Sequence, residues 1–309
     1  RNRLEPRYGL SVCFWLRGEY QEMLEELQRI IRLNRGDEFA SYYLPLCMDR
    51  LEHPYQEIIP LLNAELQKEP DDPYLSLSLA SLYRKSGNPK RAVGVLKTVL
   101  KNRPSLKEAH LCLIKIYKEG GIDSELAETY ARYIAEFPDD IDTRKEYSNL
   151  LVRIGQFGRA IPELNKISSE TSQDLRILRL LALCYRNTAD YQKAALLYRQ
   201  ILQKDPFNTE LLLNYVFCLD HGGKRQKAIE LLQQAAGHVR AGVEFHLITG
   251  VMLVKESRYE EALQSFRKGA DIDAKDHRIY LNMGMTYQKL GLSDFAERYI
   301  RKAETLQHH

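Results

Sequence analysis

The side chains that could do chemistry in this 309-residue sequence are numerous and scattered: eight histidines, five cysteines, 19 tyrosines, and 45 lysines and arginines. They assemble no catalytic motif. There is no Gly-x-x-x-x-Gly-Lys-Ser/Thr phosphate loop, no Gly-x-Ser-x-Gly elbow, no Gly-x-Gly-x-x-Gly turn and no His-Glu-x-x-His pair. His53, His110, His221, His238, His246 and His277, with His308 and His309 at the end, share no metal-ligand spacing, so no metal or other cofactor is expected. Cys13, Cys47, Cys112, Cys184 and Cys218 include no Cys-x-x-Cys pair, which argues against structural zinc and a disulfide framework. An enzyme is not expected. The residues left to explain are charged and apolar side chains that could hold a partner.

Composition narrows the partner. Lys and Arg number 45 against 42 Asp and Glu, a formal net charge of +3, too mild to point to nucleic acid or a membrane surface. The longest weakly interrupted apolar stretches, Leu211–Leu219 and Phe245–Val254, fall well short of the roughly 18 residues a membrane-spanning helix needs. The chain opens at Arg1 without Met or a signal-peptide pattern and reads as processed or trimmed. A cytoplasmic setting is the default expectation, and a periplasmic or membrane-anchored one the alternative.

The elements that must position these side chains follow from a period of 34. Pro70, Pro104, Pro138 and Pro206 are separated by 34, 34 and 68 residues. Gly87, Gly121, Gly155, Gly223 and Gly291 lie on the same grid, as do Ala92, Ala160, Ala194, Ala228, Ala262 and Ala296, with Leu126 in the one missing place. The first half of a unit carries apolar residues at helical spacing, as in Leu178, Leu181, Ala182 and Tyr185. Glycine at the fifteenth position supplies a tight turn. Alanine at the twentieth lets two helices approach, and proline near the end stops the second helix. One such helix pair cannot bury its apolar face alone, so stacked pairs are expected.

These residues resemble the tetratricopeptide repeats. Unit 175–208 carries the pattern in Leu178, Leu181, Ala182, Tyr185, Tyr191, Ala194, Tyr198, Ile201 and Pro206, departing at Ala189. Unit 277–309 carries it in Tyr280, Met283, Gly284, Tyr287, Gly291, Ala296, Ile300 and Ala303, and unit 73–106 in Leu79, Ala80, Tyr83, Gly87, Ala92, Leu96 and Pro104. Units 4–37 and 39–72 are degenerate, with Glu38 as one extra residue between them; units 107–140, 141–174, 209–242 and 243–276 complete the series. The resemblance implies an all-α, right-handed α-solenoid superhelix of antiparallel helix pairs over residues 1–309, one domain without a linker. Most tyrosines then belong to the scaffold, at positions 11 and 17. His110 and His246, at position 4, read as packed histidines, and Cys13, Cys184 and Cys218, at position 10, as packed thiols.

The resemblance also implies which residues are not needed by the scaffold. In this family, positions 2, 5, 9 and 12 of each first helix face a concave groove, the usual ligand surface. In units three to six these positions include Arg84, Lys115, Lys118, Lys145, Asn149, Arg176, Arg179 and Arg186, with seven basic residues against the acidic Glu108 and Asp142. In units seven to nine, seven of the twelve are apolar: Leu213, Phe217, Leu247, Val251, Val254, Leu281 and Met285. Units one and two contribute Tyr8, Val12, Trp15 and Tyr43. Basic side chains in a concave wall can clamp carboxylates, and apolar ones hold the anchors that carry most binding energy.

The expected function is a non-enzymatic scaffold that binds a protein or peptide segment, acidic in its middle and apolar toward one end. The alternative is the recognition domain of a larger enzyme or envelope assembly machine, its groove holding an anionic glycan or lipid head group. Nucleic acid is not expected, because few stacking aromatics accompany the cations. The family's two-carboxylate clamp for chaperone tails is incomplete: Lys145 and Asn149 match, but Leu180, Glu210 and Asn214 replace an Asn, a Lys and an Arg. The asparagine ladder of the glycosyl-transferring branch is absent too, with only Asn214 and Asn282 at position 6. The last helix mixes Phe295, Tyr299, Ile300 and Leu306 with charged residues, so it caps itself, continues into further chain or joins a second copy in a homodimer through the solenoid ends.

Overall fold

The computed structural model describes residues 4–170, 174–237 and 241–307, and every regular element among them is an α-helix. In chain order the pairs are α1 (Glu5–Arg17) and α2 (Tyr20–Leu33), α3 (Glu38–Arg50) and α4 (Tyr55–Lys68), α5 (Pro73–Lys85) and α6 (Pro89–Asn102), and α7 (Lys107–Gly120) and α8 (Asp123–Glu136). They continue as α9 (Ile141–Arg153) and α10 (Phe157–Glu170), α11 (Leu175–Asn187) and α12 (Tyr191–Leu202), and α13 (Thr209–His221) and α14 (Arg225–Ala235). The last pairs are α15 (Val243–Lys255) with α16 (Tyr259–Ile272), and α17 (His277–Lys289) with α18 (Ser293–Gln307). This is an all-α solenoid of helix pairs. His238, His308 and His309 lie outside the described residues.

The chain divides into two compact units, Arg1–Leu150 and Leu151–His309. In the N-terminal unit, helices α1 to α8 each pack on the next, and α3–α5 and α5–α7 also touch, which brings first helices side by side. Its first repeats bury Met23, Leu27, Ile30, Ala40 and Cys47 beneath Trp15, Tyr43 and Phe39. In the C-terminal unit the same sequential packing runs from α10 to α18, and the first helices again touch, α13 with α15 and α15 with α17. One apolar core there extends from Leu178 to Ala303.

The turn between the helices of a pair rests on one left-handed residue. Glycine holds it in six repeats, as at Gly87 with φ 75°, where a side chain would be strained. Glu52, Ala189 and Ser257 take the same conformation at φ 56°, 62° and 59° in the other three. These residues also locate the extra residue of the second repeat. The α3–α4 turn reaches Tyr55 three residues after Glu52, whereas α6 begins two residues after Gly87, so the insertion falls at His53–Pro54 rather than at Glu38.

First helices are started by a device on the same grid. Asp37, Asp72, Asp174, Asn208 and Asp276, each the last residue of its repeat, accept a hydrogen bond from a backbone N–H in the first turn of the following helix. Asp140 does the same toward the Thr143 N–H at 3.0 Å. Such a cap satisfies one of the four N–H groups a helix start leaves open. Leu106 and Gly242 occupy the place in the two remaining repeats of the series and make no side-chain cap.

Candidate functional site

In the N-terminal unit, the candidate cations stand on first helices, with Arg84 on α5, Lys115 and Lys118 on α7, and Lys145 on α9 beside Asn149. Each is exposed or half-buried, as a binding wall requires. Most already have a partner within the chain. Arg84 meets Glu119 at 3.2 Å, Lys118 meets Glu146 at 2.7 Å, and Lys145 meets Asp142 at 3.1 Å. Lys118 also lies 5.8 Å above the Tyr130 ring, whose hydroxyl donates to Glu146 at 2.7 Å. Burial pushes the Glu146 carboxyl up, but Lys118 and the Tyr130 hydroxyl outweigh it and hold it below the usual carboxylate range. Among the described residues Lys115 makes no ion pair.

Aromatic side chains of the first repeats also come together, and the insertion at His53–Pro54 puts Phe39 and Tyr42, rather than Tyr43, at the groove positions of the second. Trp15 lies 5.7 Å from Tyr43, edge to face, with Phe39 and Tyr42 continuing the cluster and the Arg50 guanidinium 5.9 Å from the indole. Tyr42 donates to Asp72 at 3.1 Å, tying the cluster to the cap of α5.

In the C-terminal unit, α11 presents Arg176, Arg179 and Arg186. Arg176 lies 3.6 Å from its own cap Asp174, and Arg179 lies 3.3 Å from Asp205. Arg186 donates to the Asn214 side chain and sits 5.8 Å above the ring of Phe217. The counter-charges Glu119, Glu146 and Asp205 come from outside the four groove positions. A census of those positions alone therefore overstates the free positive charge.

The apolar candidates lie on α13, α15 and α17. Leu213, Leu247, Val251 and Val254 are half-buried against the core, while Phe217, Leu281 and Met285 are 41%, 40% and 51% exposed. The Phe217 ring stacks on His221 at 4.0 Å, which fixes its orientation on the surface.

Asp220, at the groove position after Phe217, is a structural carboxylate instead. It is buried, 2.7 Å from Lys255 and 2.5 Å from Arg225, which also reaches Glu256 at 3.1 Å. Burial raises its pKa, and the two cations more than reverse that, leaving it below the ordinary carboxylate value. A depressed folded-state pKa contributes stability above the unfolded value of about 4 that is lost as pH falls through the folded one. Asp220→Asn should therefore cost about 1–2 kcal/mol at neutral pH, discounted because both cations are partly solvated, and should flatten the acid limb of the melting temperature below about pH 4. An unchanged acid limb would refute this assignment.

Most of the other reactive side chains are occupied or packed. His110 is buried, with Nε2 2.7 Å from the Pro104 carbonyl oxygen, and Arg144 donates to the Pro138 carbonyl at 2.6 Å from the same repeat position. Burial raises the Cys47, Cys184 and Cys218 thiols to about 11, which keeps them from acting as thiolates. Cys13, expected to be packed, is exposed. Among the described residues no cluster of His, Cys, Asp and Glu could hold a metal ion, and no helix is long and apolar enough to cross a membrane.

Comparison with known families agrees with this geometry. Models described as tetratricopeptide repeat match residues 75–108, 148–209, 189–242 and 277–307, and one described as TPR repeat matches 250–291. The chain belongs to the tetratricopeptide repeat family. Tetratricopeptide repeat protein 8 of Caenorhabditis elegans is 23% identical over 73% of this chain and 45% of its own length. TPR repeat-containing protein PA4667 of Pseudomonas aeruginosa is 26% identical over 52% of this chain and 27% of its own. The chain thus spans less than half the length of these curated relatives. Among solved structures, MamA 41-end from Desulfovibrio magneticus RS-1 superposes with a TM-score of 0.50 at 17% identity, covering 55% of this chain and 96% of that one, a likeness of fold. Tetratricopeptide repeats are in general non-enzymatic, and the class of function that goes with them is a protein-interaction scaffold with protein or peptide partners.

Proposed function

We propose that this tetratricopeptide chain is a non-enzymatic scaffold that holds a partner segment against its first helices, anchored on the apolar stripe of α13, α15 and α17. The observation that carries the reading is the trio Phe217, Leu281 and Met285, left open over a floor of Leu213, Leu247, Val251 and Val254. Burying such side chains supplies affinity in proportion to apolar area, and a few of them dominate. The cations Arg84, Lys115, Lys118, Lys145, Arg176, Arg179 and Arg186, with Asn149, select for acidic residues in the partner. Because Glu119, Glu146, Asp142 and Asp205 already neutralise four of them, a partner carboxylate exchanges one ion pair for another. The cations therefore govern specificity more than affinity. That prior pairing also disfavours a free anionic head group as ligand.

Affinity capture tests the reading. Wild type is compared with a Phe217→Asp/Met285→Asp variant whose helicity and melting are unchanged. Partners recovered by wild type should be depleted at least about tenfold with the variant. Equal recovery would contradict the apolar stripe as the working surface.

A further inference from the structure

The third repeat carries a charge that the scaffold does not require. Residues 73–106 hold Arg84, Lys85, Lys90, Arg91, Lys97, Lys101 and Arg103 and no Asp or Glu, in a chain of net +3. Arg84 and Lys85 belong to α5 and pair with Glu119 and Asp49. The rest lie on or just after the second helix α6, outside the four groove positions of the repeat. Lys90, Lys97 and Lys101 are exposed and, among the described residues, make no ion pair, although Lys97 lies near enough to Glu125 to help lower its pKa. A solvated helix face normally mixes signs, so a one-sign face points to a partner of the other sign.

The same helix borders open apolar clefts along its seam with the fourth repeat. Beside its first turn, a cleft of about 590 Å³ is walled by Pro89, Val93, Ile116 and Ile122, with Lys90 and the paired Arg84 and Glu119 also lining it. Beside its last turns, a second of about 500 Å³ is walled by Leu100, Pro104 and Leu113, with Lys97, Lys101 and Arg132 at the rim. A third opening, walled by Lys97, Tyr117, Thr129 and Arg132, shares residues with both and joins them. Gly94 sits between the two ends of α6 with no atom within 4 Å of where a Cβ would be, so nothing interrupts the seam there. The α8 wall is of mixed sign, with Glu125, Glu128 and Glu136 beside Arg132.

We propose that the α6–α8 seam is a second docking site, for a protein segment whose apolar side chains enter the clefts while its carboxylates face α6. Recessed apolar walls beneath a cationic rim select this occupant. A bilayer cannot reach a recessed floor, whereas a side chain on a peptide can. A nucleic acid would use the cations but leave the apolar walls uncovered and finds no exposed aromatic ring there to stack on. Carboxylates meeting Lys90, Lys97 and Lys101 need displace no ion pair, unlike those entering the first-helix face.

A displayed library of random 16-mer peptides, selected on the whole chain and synthesised for titration, tests this independently of the first-helix reading. The expected result is a class of peptides combining Asp or Glu with Leu, Ile or Phe. Their affinity should fall about tenfold or more with Lys97→Glu/Lys101→Glu and less with Lys97→Gln/Lys101→Gln. Ile122→Glu should weaken them as well, and Phe217→Asp/Met285→Asp should leave them unchanged. All altered side chains are exposed, and an unchanged melting curve confirms folding. The proposal is overturned if no selected peptide responds to the α6 variants. It is equally overturned if a DNA oligonucleotide or phosphatidylserine vesicles bind through Lys97 and Lys101 while no peptide does.

Discussion

Phe266→Ala should lower the stability of the C-terminal repeats by about 3–5 kcal/mol, the cost of emptying a large, fully packed site. Phe266 on α16 is 0% exposed and lies across Gly250 of α15, so closely that a Cβ added at Gly250 would fall 2.4 Å from its ring. Gly250→Ala should consequently cost about 1–3 kcal/mol by overpacking, although alanine is ordinarily the better helix former. The two substitutions share one contact, so the double variant should be destabilised by less than the sum. Gly94→Ala gives the contrast, since its site is open and helix propensity alone should gain about 0.5–1 kcal/mol. Urea melts of the four chains check the set. A neutral Gly250→Ala, or strict additivity, would contradict the α15–α16 packing.

On the binding side, the largest effect should come from the apolar stripe. Titrating a captured partner, Phe217→Asp/Met285→Asp should weaken binding about a hundredfold, because two anchors are lost and two carboxylates are forced against apolar surface. Lys145→Glu/Arg179→Glu should weaken it about tenfold, because those cations already have Asp142 and Asp205 as partners. Isothermal titration separates the two. The reverse order would mean that the basic residues, and not the apolar ones, anchor the partner.

The repeat was legible because each grid residue has a backbone or packing task with few substitutes. Gly87 and its equivalents hold a left-handed turn, and Ala92 and its equivalents fill the closest helix approach. Less legible were the places where another residue does the same work. Glu52, Ala189 and Ser257 hold the turn without being glycine, and an inserted residue at His53–Pro54 hides in a turn that tolerates it. The caps Asp37, Asp72, Asp140, Asp174, Asn208 and Asp276 were on the grid, and a search for Asp or Asn at the last repeat position would have found them.

The candidate site was legible as positions but not as electrostatics. From the third repeat on, side chains at positions 2, 5, 9 and 12 stand exposed or half-buried on first helices, Asp220 excepted, because helical periodicity fixes direction. Their charge state of pairing depends on neighbours such as Glu119, which follows Arg84 by 35 residues and belongs to the next repeat. Asp220 shows the limit most clearly. It stands at a groove position, yet two cations from beyond its own helix make it part of the scaffold.

Hydrogen–deuterium exchange of the chain with and without a captured partner tests the central claim most directly. A segment held on the first helices raises the opening free energy of the helices it covers. Exchange should slow across residues 209–221, 243–255 and 277–289, with α14, α16 and α18 little changed. Protection confined to those second helices, or no protection in the C-terminal unit, would contradict it.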